Sequence, residues 1–131
     1  LGAEGVQMGT RFALTDESSA SDIFKEYCLR LNEGDTKLLL KKLAPTRLVT
    51  NSFRDRVEAA EGRGASAEEL RELLGRGRAK KGIFEGDLEE GELEIGQVAA
   101  LFRRRQSVDE VMKELLEGYR RASDKIRSAR L

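Results

Sequence analysis

At 131 residues the chain is of single-domain size, and 39% hydrophobic residues are enough for a modest core. Lys and Arg number 24 against 24 Asp and Glu, so net charge drives no global attraction to nucleic acid or to a membrane. Histidine and tryptophan are absent and aromatics reach only 5%, which excludes Ser-His-Asp, Cys-His and HExxH mechanisms within this chain and argues against a base-stacking platform.

Leu1-Gly2 reads as the end of a helix with Gly2 as its C-cap, feeding directly into a strand. Ala3 to Met8 is small or apolar apart from Glu4 and Gln7, the pattern of a short buried strand of a parallel sheet. A lone parallel strand cannot satisfy its own ladder of N–H and C=O groups, so the chain reads as a piece of something larger. Gly9-Thr10 follows at the C-terminal end of that strand. The missing Cβ of Gly9 lets a ligand oxygen come close to the backbone, and the two amides with the Thr10 hydroxyl form a potential anion nest. A plain strand-end turn explains the same pair.

Ala13 to Ser21 reads as a polar loop. Ser21 or Asp22 caps a helix running to about Leu31, with Ile23, Phe24, Tyr27, Cys28 and Leu31 on one face. Cys28 is the only cysteine and fits a small core residue in a reducing, cytoplasmic setting. Lys37 to Leu43 is extended or helical and is broken by Pro45. Ser52 begins the next helix, with Asp55 as a partial capping box and Phe53, Val57 and Ala60 as its buried stripe. Ser66 with Glu69 caps a helix from Ala67 to Leu74, stopped by Gly75. Gly82 to Gly96 is mostly loop, and Gln97 to Arg105 starts another helix. Ser107 with Glu110 caps the last one, whose stripe of Val108, Val111, Met112, Leu115, Leu116, Tyr119 and Ile126 reads as core. The longest apolar run, Val98 to Phe102, is too short to span a bilayer.

The stretch Gly2-Ala3-Glu4-Gly5-Val6-Gln7-Met8-Gly9-Thr10-Arg11-Phe12 resembles the last barrel strand of the FMN-dependent nitronate monooxygenase and enoyl-ACP reductase II family. The similarity runs on through Glu17-Ser18-Ser19-Ala20, Pro45-Thr46-Arg47, Asn51-Ser52-Phe53, Gly86-Asp87-Leu88-Glu89-Glu90-Gly91 and Gly96-Gln97-Val98-Ala99. It implies an α/β fold: the C-terminal part of an FMN-binding TIM-type (β/α)₈ barrel, this chain itself being mostly helical. Residues 1–36 would carry the last strand, phosphate loop and following helix, 37–96 a small helical subdomain with an acidic loop, and 97–131 the closing helices. The resemblance places the FMN phosphate on Gln7, Met8, Gly9 and Thr10, and puts the catalytic histidine upstream of the matched segment. This chain therefore carries no catalytic residue and is expected to be inactive alone.

By the same resemblance, NAD(P)H reduces FMN and the flavin reduces a trans-2-enoyl thioester in fatty acid biosynthesis. Nitronate oxidation by O₂ through the same flavin is the alternative, and a non-catalytic helical interaction module is a third reading from another class. The implied partners are the N-terminal remainder of the barrel, an acyl-carrier protein and a second copy in a homodimer. Where the family often has His-Pro, this sequence has Ser21-Asp22.

Three charged runs remain. Glu85 to Glu94 fails as a calcium loop, because position six is Glu90 rather than glycine and position twelve is Gly96 rather than an acid. It reads as a solvated acidic turn. Gly75-Arg76-Gly77-Arg78-Ala79-Lys80-Lys81-Gly82 is either a solvated loop or a cationic patch for NAD(P)H phosphates or an acidic carrier protein. Arg103-Arg104-Arg105 reads as the basic end of a helix.

Overall fold

The computed structural model describes residues 3–129, so the helix end read at Leu1-Gly2 lies outside the described residues. Its elements are α1 (Thr10–Ala13), α2 (Asp22–Cys28), β1 (Thr36–Leu39), β2 (Thr46–Val49), α3 (Ser52–Gly62), α4 (Ala67–Leu74) and α5 (Val108–Ser128). A π-helical turn at Lys80–Phe84 and a 3₁₀ turn at Gln97–Leu101 complete the set.

Local chemistry sets most helix starts. The Ser21 hydroxyl accepts from the Phe24 amide, and capping boxes close at Ser66/Glu69 and Ser107/Glu110. The cap of α3 is Asn51, one residue before the Ser52 expected from the sequence, and its side chain also donates to the Gly91 carbonyl at 2.8 Å. The helix expected from Gln97 to Arg105 is only the 3₁₀ turn. Arg103 donates to the Leu31 carbonyl at 2.8 Å, while Arg105 pairs with Asp16 and Asp22, so the arginine run ties loops together rather than ending a helix.

The residues from Lys37 to Leu43 enter an antiparallel hairpin, β1 with β2, in the register Thr36↔Val49 to Leu39↔Thr46. Beyond β2 a third extended segment joins: the Val49 amide donates to the Leu93 carbonyl at 2.9 Å, and Leu48 and Glu94 form an isolated antiparallel bridge. One core gathers Leu14, Phe24, Cys28, Leu29, Leu31, Val49, Leu93, Ile95 and Ala99. A second sits under the hairpin, with Leu39, Leu40, Leu48, Phe53 and Val57, and a third links Ala60, Ala65 and Leu70. Leu40 takes φ +56°, a conformation that costs about 1 kcal/mol, and its near-complete burial holds it there.

Two expectations are corrected. Ala3 to Met8 forms no strand: it is irregular and exposed, with Val6 at 81%. A parallel strand is stable only with neighbours, and the two strands described here pair with each other instead. The stripe of α5 is not a core either. Val111 is buried, but Met112, Leu116, Tyr119 and Ile126 are exposed, because the described chain offers nothing on that side to cover them. No helix among the described residues is long and apolar enough to cross a membrane.

Candidate functional site

Gly9 and Thr10 fall where the irregular N-terminal segment turns into α1. Gly9 is the N-cap residue, and its carbonyl accepts from the Phe12 and Ala13 amides. Nothing lies within 4 Å of where a Cβ on Gly9 would stand, so the approach to its backbone is open. The Thr10 Oγ1 accepts the Gly96 amide at 3.1 Å. That contact uses a lone pair and leaves the hydroxyl proton available for an anion. Gly96 has to be this small: a Cβ there would stand 2.5 Å from the same oxygen.

Gly9, Thr10, Arg47, Glu94, Ile95 and Gly96 line a shallow cavity of about 450 Å³. Gln7 and Met8 are not among its lining residues and lie exposed beside it. The structure thus brings two of the four expected phosphate-binding residues to one cavity and leaves the other two on the approach. Arg47 and Glu94 were not singled out as site residues from the sequence. Arg47 belongs to the Pro45-Thr46-Arg47 stretch, and the pairing of β2 with residues 93–95 puts it in the lining of the cavity that Thr10 shares. Its Nη1 donates weakly to the Thr36 carbonyl at 3.4 Å and Oγ1 at 3.3 Å, and among the described residues it meets no carboxylate.

Electrostatics on the extended segment at residues 92–95 are unusual. Glu92 is 8% exposed, and burial pushes its carboxyl up to about 7, with the charge of Glu94 adding and Arg78 opposing. Glu94 is more exposed than Glu92, and its partial desolvation raises its carboxyl above the ordinary value. Both shifts reduce the negative charge that this segment presents beside the cavity near neutral pH.

Other singled-out residues are structural. Arg11 bonds Gln106 and Glu114 and lies 4.6 Å from the Phe102 ring centre, pinning α1 to α5. Arg78, one of the four cations of the expected patch, donates to the Leu73, Leu74 and Glu90 carbonyls and stacks 4.4 Å from the centre of the Phe53 ring. It is a strut, so the patch reading fails at that residue. Lys80 pairs with Glu85 and Lys81 with Asp87, so the basic run and the acidic turn largely neutralise each other. Cys28 is fully buried and its thiol is pushed up to about 12, far from a reactive thiolate.

Comparison with known proteins adds the family. The family described as nitronate monooxygenase matches residues 1–118. A protein named "Probable nitronate monooxygenase" from Staphylococcus saprophyticus is 56% identical over 56 residues, covering 40% of this chain and 15% of that protein. One of the same name from Bacillus subtilis is 50% identical over 38 residues, 29% of this chain and 11% of its own. Among solved structures, FabK from Thermotoga maritima superposes with a TM-score of 0.84 at 31% identity, over 96% of this chain and 40% of FabK. A point mutant of that FabK gives 0.78 at 28% identity over 96% and 37%. The chain therefore spans well under half the length of these relatives. The fold class is the one expected, a mostly helical part of a TIM-type barrel.

Proposed function

The chain belongs to the nitronate monooxygenase family of flavin-dependent oxidoreductases, and from that premise we propose that it supplies the phosphate end of a flavin site in an enoyl-ACP reductase of the FabK type. The observation that supports the reductase reading is the likeness to FabK over 96% of the chain. The second reading, nitronate oxidation by O₂, is favoured by the names of the curated relatives.

The donor set fits an FMN phosphate. The amides of Gly9 and Thr10 and the Thr10 hydroxyl would serve as donors to it, the backbone at Gly9 is open, and Arg47 lines the same cavity. Gln7 and Met8 would flank the phosphate from the entering segment. When bound, the flavin supplies the redox chemistry, with NAD(P)H as reductant and a trans-2-enoyl thioester as acceptor. The residues of this chain bind and orient it, and none of them is a histidine. Alone, the chain would be inactive. The N-terminal remainder of the barrel would cover Val6 and the exposed face of α5, and complete the site. An acyl-carrier protein as thioester donor and a homodimeric assembly belong to the same proposal.

The test is flavin fluorescence on titrating the chain with FMN and with riboflavin. FMN is expected to bind more tightly than riboflavin, and Thr10→Val to erase the difference. Equal binding of both flavins would remove Gly9 and Thr10 from the phosphate site. With the complete barrel, enoyl-thioester-dependent oxidation of NAD(P)H against nitronate-dependent O₂ uptake separates the two reactions.

A further inference from the structure

A larger cleft of about 760 Å³ lies between the start of the hairpin and the 3₁₀ turn, separate from the cavity at Thr10 but sharing Arg47 with it. Its polar wall holds two guanidiniums. Arg47 is half-buried and spends only Nη1, on Thr36. Arg103 also spends only Nη1, on the Leu31 and Phe102 carbonyls. Each keeps Nε and Nη2 for another acceptor, and among the described residues neither forms an ion pair. Most other arginines near the cores are committed: Arg11, Arg54, Arg56, Arg78 and Arg105 all meet carboxylates. Glu33 is the one carboxylate lining the cleft, so its lining carries a net positive charge. The 3₁₀ turn adds apolar lining, with Leu101 at 76% exposed and Val98 at 41%.

Two guanidiniums with open forks on one cleft suit a phosphate or pyrophosphate, which Arg binds through paired N–H donors. Apolar side chains in the same lining suit a ligand whose other end is not charged. We propose that this cleft is a second anion subsite, built by Arg47 and Arg103, for the phosphate end of an amphipathic co-substrate. Its description as a co-substrate site rests on the oxidoreductase reading, whereas the anion site itself does not. Two small molecules share this chemistry, a pyridine dinucleotide through its pyrophosphate and a thioester substrate through its phosphopantetheine phosphate. Because Arg47 lines both cavities, the bound phosphate would lie next to the flavin phosphate, separated by one side chain.

The experiment follows the arginine Nε–Hε resonances of the ¹⁵N-labelled chain while inorganic pyrophosphate is added, then ADP and 4′-phosphopantetheine in separate arms. Saturable shifts at Arg47 and Arg103 are expected, with the tighter of the two organic ligands naming the source. Arg47→Gln and Arg103→Gln should each weaken pyrophosphate binding roughly tenfold, and Glu33→Gln should strengthen it. Arg103→Lys keeps the charge without the fork and should fall in between. Arg63→Gln, an exposed arginine outside the cleft, should change nothing. Absence of saturation, or equal affinity in the Arg63 and Arg103 variants, would overturn the subsite. An FMN titration of the Arg103→Gln chain reads the flavin site independently. Flavin binding without pyrophosphate binding defeats only this inference, and the reverse defeats only the flavin reading.

Discussion

Replacing Glu92 by Gln tests the energetics of the extended segment that carries Glu94 to the cavity. The Glu92 carboxyl is displaced from an ordinary 4.5 to about 7, chiefly by burial. A folded-state value above the unfolded one means that the ionised carboxyl opposes folding. The stability is fully present below about pH 4.5 and is lost as pH rises through about 7. At 1.36 kcal/mol per pH unit the whole displacement corresponds to about 3 kcal/mol. Solvent screening at the part of the side chain that stays exposed reduces this, so the realised loss should be about 1–2 kcal/mol. Urea unfolding of the native chain and of Glu92→Gln at about pH 5 and about pH 8 measures it. The native chain should lose about 1–2 kcal/mol more than the variant between those conditions, with unchanged m-values. Parallel pH profiles, or a variant less stable than the native chain at the higher pH, would refute the reasoning.

Three further substitutions probe the same framework. In Gly91→Ala the new Cβ would stand 2.2 Å from the Gly82 Cα and 2.4 Å from the Asp87 carbonyl oxygen, both backbone atoms, so unfolding should show a loss of about 3 kcal/mol or more. Lys25→Met keeps the buried stem but strips the ammonium from the Asp16 and Ser18 carbonyls, at 3.2 and 2.7 Å, and should cost about 1–3 kcal/mol in the same assay. Gly96→Ala meets one side-chain atom rather than backbone at short range, the Thr10 hydroxyl oxygen at 2.5 Å, which a χ1 rotation of Thr10 can move aside. It should weaken FMN binding roughly tenfold by fluorescence titration while stability stays within about 1 kcal/mol.

The helices were legible wherever their determinants lie within a few residues of each other. Ser66 with Glu69 and Ser107 with Glu110 each close a box inside one turn, and the structure keeps both. The shift of the α3 cap to Asn51 has a non-local cause, because that side chain also reaches Gly91, 40 residues away. Strand β2 was not legible for the same reason. Thr46 to Val49 is four residues after a proline, and its state is decided by pairing with Thr36–Leu39 on one edge and residues 93–95 on the other. Ala3 to Met8 and the stripe of α5 are the converse case. Their patterns specify a buried strand and a buried helix face, but burial needs a partner surface that the described chain does not contain, so the pattern stands and the burial does not.

The candidate site divides along the same line. Gly9-Thr10 announces itself in the sequence because a small residue, a hydroxyl and a chain turn are contiguous. What makes the pair chemically specific is distant: Thr10 is held by an amide 86 positions away, and Arg47 arrives on a hairpin that itself depends on the segment carrying Glu94. That segment runs from Glu92, which prefers a proton near neutral pH, to Gly96, which can be nothing larger without displacing Thr10. Ionisation of Glu92 and Glu94 therefore adds negative charge beside the cavity that the phosphate would enter. Phosphate affinity should accordingly fall as pH rises through about 7, and Glu92→Gln should flatten that fall in the same titration that compares FMN with riboflavin. A fall that persists in the variant would assign the pH dependence to Glu94, which lines the cavity itself, and leave Glu92 a matter of folding alone.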